Sequence, residues 1–130
     1  MEGQRGGLVL RVDGELRFVP ATVAVSVAPA VRVTAVPGAP PDLLGIAMHE
    51  GVVVPVVAIG AARGEMVVCQ HAGELVGLVG GEVVRMGRFE SVADRADIVL
   101  VDGERVRLLD LTAVYARVQT GGRPGRLSPI

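Results

Sequence analysis

Leu8-Val9-Leu10-Arg11-Val12-Asp13-Gly14-Glu15-Leu16-Arg17-Phe18-Val19 reads as a β-hairpin. In its second arm Leu16 and Phe18 fall on one face and Glu15 and Arg17 on the other, the period-2 alternation of a half-buried strand. Asp13-Gly14 sits where a two-residue type I′ turn needs positive φ at both positions. The pattern recurs twice. Met66-Val67-Val68-Cys69-Gln70 meets the turn His71-Ala72-Gly73 and returns as Glu74-Leu75-Val76-Gly77-Leu78-Val79. Ile98-Val99-Leu100-Val101 meets Asp102-Gly103 and returns as Glu104-Arg105-Val106-Arg107-Leu108. Each hairpin is expected to have one dry face and one wet face.

Further strands are predicted between these copies. Residues 31–36 alternate Val31 and Val33 with Arg32 and Thr34. Residues 52–59 are apolar on both faces and predict a central strand buried on both sides. Gly80-Gly81 breaks the exit of the second hairpin, and 82–86 continues as strand. Residues 21–27 fit helix or strand equally. Asp42 after Pro40-Pro41 is a candidate cap for a single turn. Asp110 is a candidate N-cap, with Leu111, Val114, Tyr115 and Val118 on one helical stripe ended by Gly121-Gly122 and Pro124. Many short strands with frequent Gly and Pro turns predict a mainly β barrel or sandwich. Hairpin copies half a chain apart fit two small barrels packed together, or hairpins that merely look alike.

Composition narrows the function. The chain of 130 residues has 26 valines, three aromatic residues and no lysine, tryptophan or asparagine. Its core must therefore be aliphatic and β-branched, which pleated sheets accept well. A net charge of −1 lacks the basic excess of a nucleic-acid footprint, and the aromatics are too few for base stacking. The single cysteine, Cys69, excludes an internal disulfide and fits a reducing cytoplasm. No signal core follows the N-terminus, and the longest apolar stretch, 52–62, is broken by Pro55 and Gly60 and is too short to cross a bilayer.

Catalytic and metal signatures are absent from the pattern. His49, Glu50, Cys69 and His71 show no metal-ligand spacing. His49 and Glu50 are adjacent, so on a strand they point to opposite faces. Cys69 lies in an apolar strand, where a thiol is ordinarily structural. Ser26, Ser91 and Ser128 lie in no nucleophile elbow, and no glycine run forms a phosphate loop. No metal, cofactor or catalytic residue is expected. A small β-barrel enzyme or ligand-binding protein would need His49, Glu50 and Cys69 gathered in one pocket.

Residues 36–59 carry a more specific signal. They run Val36-Pro37-Gly38-Ala39-Pro40-Pro41-Asp42-Leu43-Leu44-Gly45-Ile46-Ala47-Met48-His49-Glu50-Gly51-Val52-Val53-Val54-Pro55-Val56-Val57-Ala58-Ile59. This resembles the signature region of CheW-like domains, the adaptors of bacterial chemosensory signalling. That signature is approximately Leu-Pro-Gly-x-Pro, then Gly-Val-x-Asn-Leu-Arg-Gly, then Pro-Val-x-Asp-Leu. Pro37, Gly38, Pro40, Gly45, Gly51, Pro55 and Val56 match at the family's spacing. The resemblance covers residues 7–118, expected as one domain, with 1–6 and 119–130 as flexible ends. It implies two intertwined five-stranded SH3-like β-barrels with a short C-terminal helix. It implies no catalysis, but a scaffold that couples a methyl-accepting chemoreceptor tip to the regulatory domain of a CheA-type histidine kinase. Such proteins bind through a groove between the lobes and through exposed barrel ends, with no nucleic acid and no membrane insertion. The implied location is cytoplasmic, at membrane-associated or cytoplasmic chemosensory clusters.

Carried onto this chain, the receptor-side motif comprises Gly45, Met48, His49, Glu50, Gly51 and Val52. It departs from the family where Asn-Leu-Arg-Gly becomes Met48-His49-Glu50-Gly51, which reverses the charge at the arginine position. The aspartate of Pro-Val-x-Asp-Leu is Ala58, and the polar helix that follows shrinks to Ala61-Ala62-Arg63-Gly64. Val23-Ala24-Val25-Ser26-Val27 replaces a stretch that usually carries charge near the receptor groove. Residues 88–97 are shorter than the usual connection before the last hairpin. These departures fit a divergent adaptor, of a gliding-motility or other accessory system, in which one partner surface is altered or lost.

Overall fold

A computed structural model describes residues 3–29 and 32–116. Ten strands run in the order β1 (Gln4–Val12), β2 (Glu15–Pro20), β3 (Ala24–Ala28), β4 (Leu43–His49), β5 (Val52–Ala58), β6 (Met66–His71), β7 (Glu74–Val79), β8 (Glu82–Val92), β9 (Arg95–Val101) and β10 (Glu104–Leu108). A short helix follows at residues 111–116. The first two and last three strands close a barrel in the order β1-β2-β10-β9-β8. The middle of the chain forms a second lobe, a five-stranded sheet in the order β3-β6-β7-β5-β4. The mainly β, two-lobed architecture with a short helix is thus as expected.

The turn chemistry sets the hairpins. Asp13 and Gly14 have φ of 49° and 89°, and Asp102 and Gly103 have 53° and 81°, the paired positive values of a type I′ turn. Ala72-Gly73 repeats this with 52° and 82°, and so does Glu50-Gly51 with 51° and 82°. Glu50 therefore lies in a turn; the expectation that it shares a strand with His49 and points to the opposite face is corrected. A further hairpin joins β8 to β9 through Ala93-Asp94, with Val92 opposite Arg95. Residues 88–97, expected as a shortened connection, are the end of β8, the Ala93-Asp94 turn and the start of β9, and β8 runs well past Met86. Of the strand expected at 31–36, Val31 lies outside the described residues, and among 32–36 the pairing is a single bridge, Thr34 to Ile46. Asp42 lies in a turn and caps no helix. Residues 21–27 resolve into a turn and β3. The first strand begins at Gln4, so residues 4–6, expected in a flexible end, pair with β8. Val118 and the expected C-terminal flexible end lie outside the described residues.

Three aliphatic cores hold the lobes. The barrel encloses Val9, Phe18, Phe89, Val99, Val101 and Val106. Its two aromatics meet edge to face at 5.8 Å, and Arg5 and Arg85 stand over Phe18 and Phe89. The second lobe encloses Ala47, Val56, Met66 and Val68. A third core lies in the seam, where Leu8, Leu10 and Val19 of the barrel meet Val57, Val67, Cys69, Val76 and Leu78 of the sheet. Alternate residues of β1 therefore serve two cores: Val9 faces the barrel while Leu8 and Leu10 face the seam. In β6, Met66 and Val68 face their own lobe while Val67 and Cys69 face the seam. Both faces of these strands are buried, so the expected wet face is absent there.

The helix closes the seam. Asp110 caps it, its Oδ1 accepting the Ala113 N–H at 3.0 Å, as the sequence predicts. Leu111 and Val114 enter the seam core. Tyr115 donates its hydroxyl to the Glu74 carbonyl at 2.7 Å and its ring lies 4.9 Å from His71. A polar tie also crosses between lobes, where Asp13 Oδ1 accepts the Ala61 N–H at 3.0 Å. Within the second lobe the Ile59 N–H donates to the Val79 carbonyl at 2.8 Å and extends the β5–β7 pairing. Burial pushes the Cys69 thiol up to about 12, as for a group taken fully out of water.

Candidate partner-binding surfaces

Two exposed apolar surfaces stand out on this frame. One is the β4–β5 hairpin, which carries the residues expected to form the receptor-side motif. Here Met48 pairs with Val53 and Ile46 with Pro55, while Ala47 and Val54 between them point into the core. Met48 and Val53 are 62% and 55% exposed. His49 pairs with Val52 on the inner side of the hairpin, at its tip. Its Nε2 is buried without a hydrogen-bond partner and stands 3.8 Å from Glu50 Oε2, too far for a hydrogen bond. The Glu50 side chain projects into solvent from the turn.

The six motif residues are therefore split by role. Met48, His49, Glu50, Gly51 and Val52 share one hairpin end, with Met48 on one face and His49 and Val52 on the other. Gly45 is a buried packing position. A β-carbon there would collide with the Thr34 carbonyl, so only glycine lets the 32–34 segment bridge to Ile46. The prediction that β5 is buried on both sides is corrected for its first half, where Val52 and Val53 are exposed.

The second surface lies between the lobes. A groove of about 310 Å³ is lined by Gly7, Leu8, Ala21, Val25, Val27 and Met86, among others. Val25 is the extra residue of a bulge, since Ala24 pairs with Cys69 but Ser26 pairs with Val68. The bulge turns Val25 outward, to 54% exposure. Met86 sits opposite Leu8 and is 68% exposed at the rim. The sequence marked 23–27 as charge-poor, but Met86 was missed; its only signal was an apolar residue beside Gly87 in a polar run.

The residues an enzyme would need are not gathered. Cys69 is in the seam core, and His49 and Glu50 are at the hairpin tip. Among the described residues no group of three or more His, Cys, Asp or Glu is placed to hold a metal ion. Among them, too, no helix is long and apolar enough to cross a membrane.

A β-lobe inserted within a β-barrel, joined to it by a seam core and carrying exposed apolar surfaces, defines a two-lobed, mainly β fold. The solved structure of the scaffolding protein TtCheW from Thermoanaerobacter tengcongensis has this fold. It superposes with a TM-score of 0.67 at 17% identity, over 84% of this chain and 86% of that one. The fold is thus CheW-like. No family model matches the chain, and no curated protein matches it.

Proposed function

We propose that this protein is a non-enzymatic adaptor of a chemosensory system, coupling a chemoreceptor tip to the regulatory domain of a CheA-type histidine kinase. The observation that carries the reading is the coincidence of the CheW-like fold with an apolar groove at the lobe seam, lined by Leu8, Val25 and Met86. An apolar groove between rigid lobes suits the apolar stripe of a helical partner. The described part of the 7–118 domain acts as one unit, because Leu8, Leu111 and Val57 share a core. The receptor-side motif, with Met48, His49, Glu50, Gly51 and Val52 exposed or near the surface around Gly45, is a second contact. Its location is cytoplasmic, at receptor clusters.

A narrower version has one partner kept and the other lost, favoured by Glu50 in place of the family's arginine and by Ala58. Calorimetric titration with the cognate receptor cytoplasmic fragment and with the kinase regulatory domain tests both versions. Binding of both supports the coupler, and binding of one supports the narrower version. Silence with both refutes the proposal. Glu50→Arg is expected to strengthen whichever contact the reversed charge has weakened.

A further inference from the structure

Buried polar atoms are ordinarily paired, so one that is not calls for a physical reason. Among the described residues, His49 Nε2 is the one buried side-chain nitrogen or oxygen with no hydrogen-bond partner. His49 ends β4, and its side chain is 13% exposed on the inner side of the hairpin. Glu50 follows in the turn, with φ of 51° and a side chain 81% exposed. Its Oε2 stands 3.8 Å from Nε2, about 1 Å beyond a charge-assisted hydrogen bond. Other charges stand elsewhere. Val52 opposite His49 is apolar, and so are Val33 and Leu75, which pack on the core of this lobe. The charged end of the β6–β7 hairpin, His71 and Glu74, is engaged with Tyr115 of the helix. Arg32 lines the groove on the Met48 and Val53 face. Among the described residues, Glu50 is the one charged group within ion-pair distance of His49.

We propose that His49 and Glu50 form a proton-driven clasp at the tip of the β4–β5 hairpin. With His49 neutral the clasp is open, and the turn presents a free carboxylate to solvent. When His49 takes up a proton from solvent, both ring nitrogens become donors, and Nε2 is a buried cationic N–H in need of an acceptor. The Glu50 side chain moves inward by about 1 Å and accepts that N–H, and the two charges cancel. Histidine is the side chain whose charge ordinarily changes between pH 5 and 8, so the clasp responds in that range. On closure the tip loses its net negative charge, while Met48, Val52 and Val53 around it stay exposed. A partner docking on this hairpin meets an acidic tip when the clasp is open and a neutral, apolar one when it is closed. That consequence rests on the adaptor reading, whereas the clasp itself does not.

Nuclear magnetic resonance of the full chain between pH 5 and 8 tests the clasp, with His71→Gln assigning the two imidazole signals. The C2 proton of His49 is expected to titrate, and the side-chain carboxyl carbon of Glu50 to shift with the same midpoint. Glu50→Gln, at an exposed position, is expected to lower the His49 midpoint by about 0.3–1 pH unit, because the opposite charge is gone. Far-ultraviolet circular dichroism of each variant confirms that the fold is kept. A His49 that does not titrate in this range overturns the proposal. So does a His49 midpoint that agrees within about 0.1 pH unit between the native chain and Glu50→Gln, or a Glu50 carboxyl signal that ignores the titration of His49. These readouts need neither receptor nor kinase, so failure of the adaptor reading leaves them unchanged.

Discussion

Gly80→Ala tests the close packing at the point where the chain leaves the second lobe for β8. Gly80 has φ of 103°, and a β-carbon there would stand 2.6 Å from the Gly60 nitrogen and closer still to the Gly60 carbonyl oxygen. This contact sits beside the Ile59-to-Val79 and Ala62-to-Gly80 hydrogen bonds, of 2.8 and 3.1 Å. Gly73 is the internal control. Its φ is 82°, and nothing lies within 4 Å of its would-be β-carbon. Gly73→Ala thus carries only the backbone cost of a left-handed alanine, about 1–2 kcal/mol. Gly80→Ala carries that cost and also the displacement of packed backbone, about 1–3 kcal/mol. Loss of one or both neighbouring hydrogen bonds adds about 0.5–1.5 kcal/mol each. The expected total is about 2.5–8 kcal/mol, a large share of a small domain's stability. Urea unfolding followed by Tyr115 fluorescence and circular dichroism measures it. With a slope of about 1–3 kcal/mol/M, the midpoint should fall by more than about 1 M for Gly80→Ala and by clearly less for Gly73→Ala. Equal losses in the two variants, within about 0.5 kcal/mol, would refute the reasoning, because the contact would then contribute nothing.

Four further outcomes are expected. Leu78→Ala, in the seam core, should cost about 2–5 kcal/mol in the same unfolding assay, against less than about 0.5 kcal/mol for exposed Val25→Ala. The Cys69 thiol, held up at about 12 by burial, should resist a thiol reagent at pH 8 until urea unfolds the chain. Its folded pKa lies above the unfolded value, so the folded state keeps a proton that the unfolded state releases. Stability should therefore begin to fall as pH passes the ordinary thiol range and continue falling toward 12, and Cys69→Ala should flatten that part of a denaturation-versus-pH curve. Asp110→Ala should cost about 1 kcal/mol through loss of the helix cap, read as a lower thermal midpoint.

The hairpins were open to a reader of the sequence because a two-residue turn writes its requirement into two residues. Asp13-Gly14 and Asp102-Gly103 announce positive φ. Glu50-Gly51 does the same less loudly, since glutamate is not a typical left-handed residue, and the Ala93-Asp94 turn has no glycine at all. The helix cap at Asp110 was equally local. What was not readable depends on contacts distant in sequence. Leu8-Val9-Leu10 and Met66-Val67-Val68-Cys69 are apolar on both faces because a second lobe packs on one of them. The similar run at β5 is left half bare. Only the topology distinguishes these cases. The candidate site divides in the same way. The β4–β5 motif was found because it is contiguous, whereas the seam groove joins Leu8, Val25 and Met86, and its shape depends on a bulge at Val25 that no residue in β3 signals.

The central claim is that this fold serves to hold two other proteins together. The most direct measurement mixes the chain with the cytoplasmic fragment of its cognate chemoreceptor and the regulatory domain of its histidine kinase, and follows all three by analytical ultracentrifugation. The account predicts a ternary complex containing all three chains, which receptor and kinase do not form at the same concentrations without this protein. Receptor and kinase sedimenting separately, with this chain bound to neither, would contradict it.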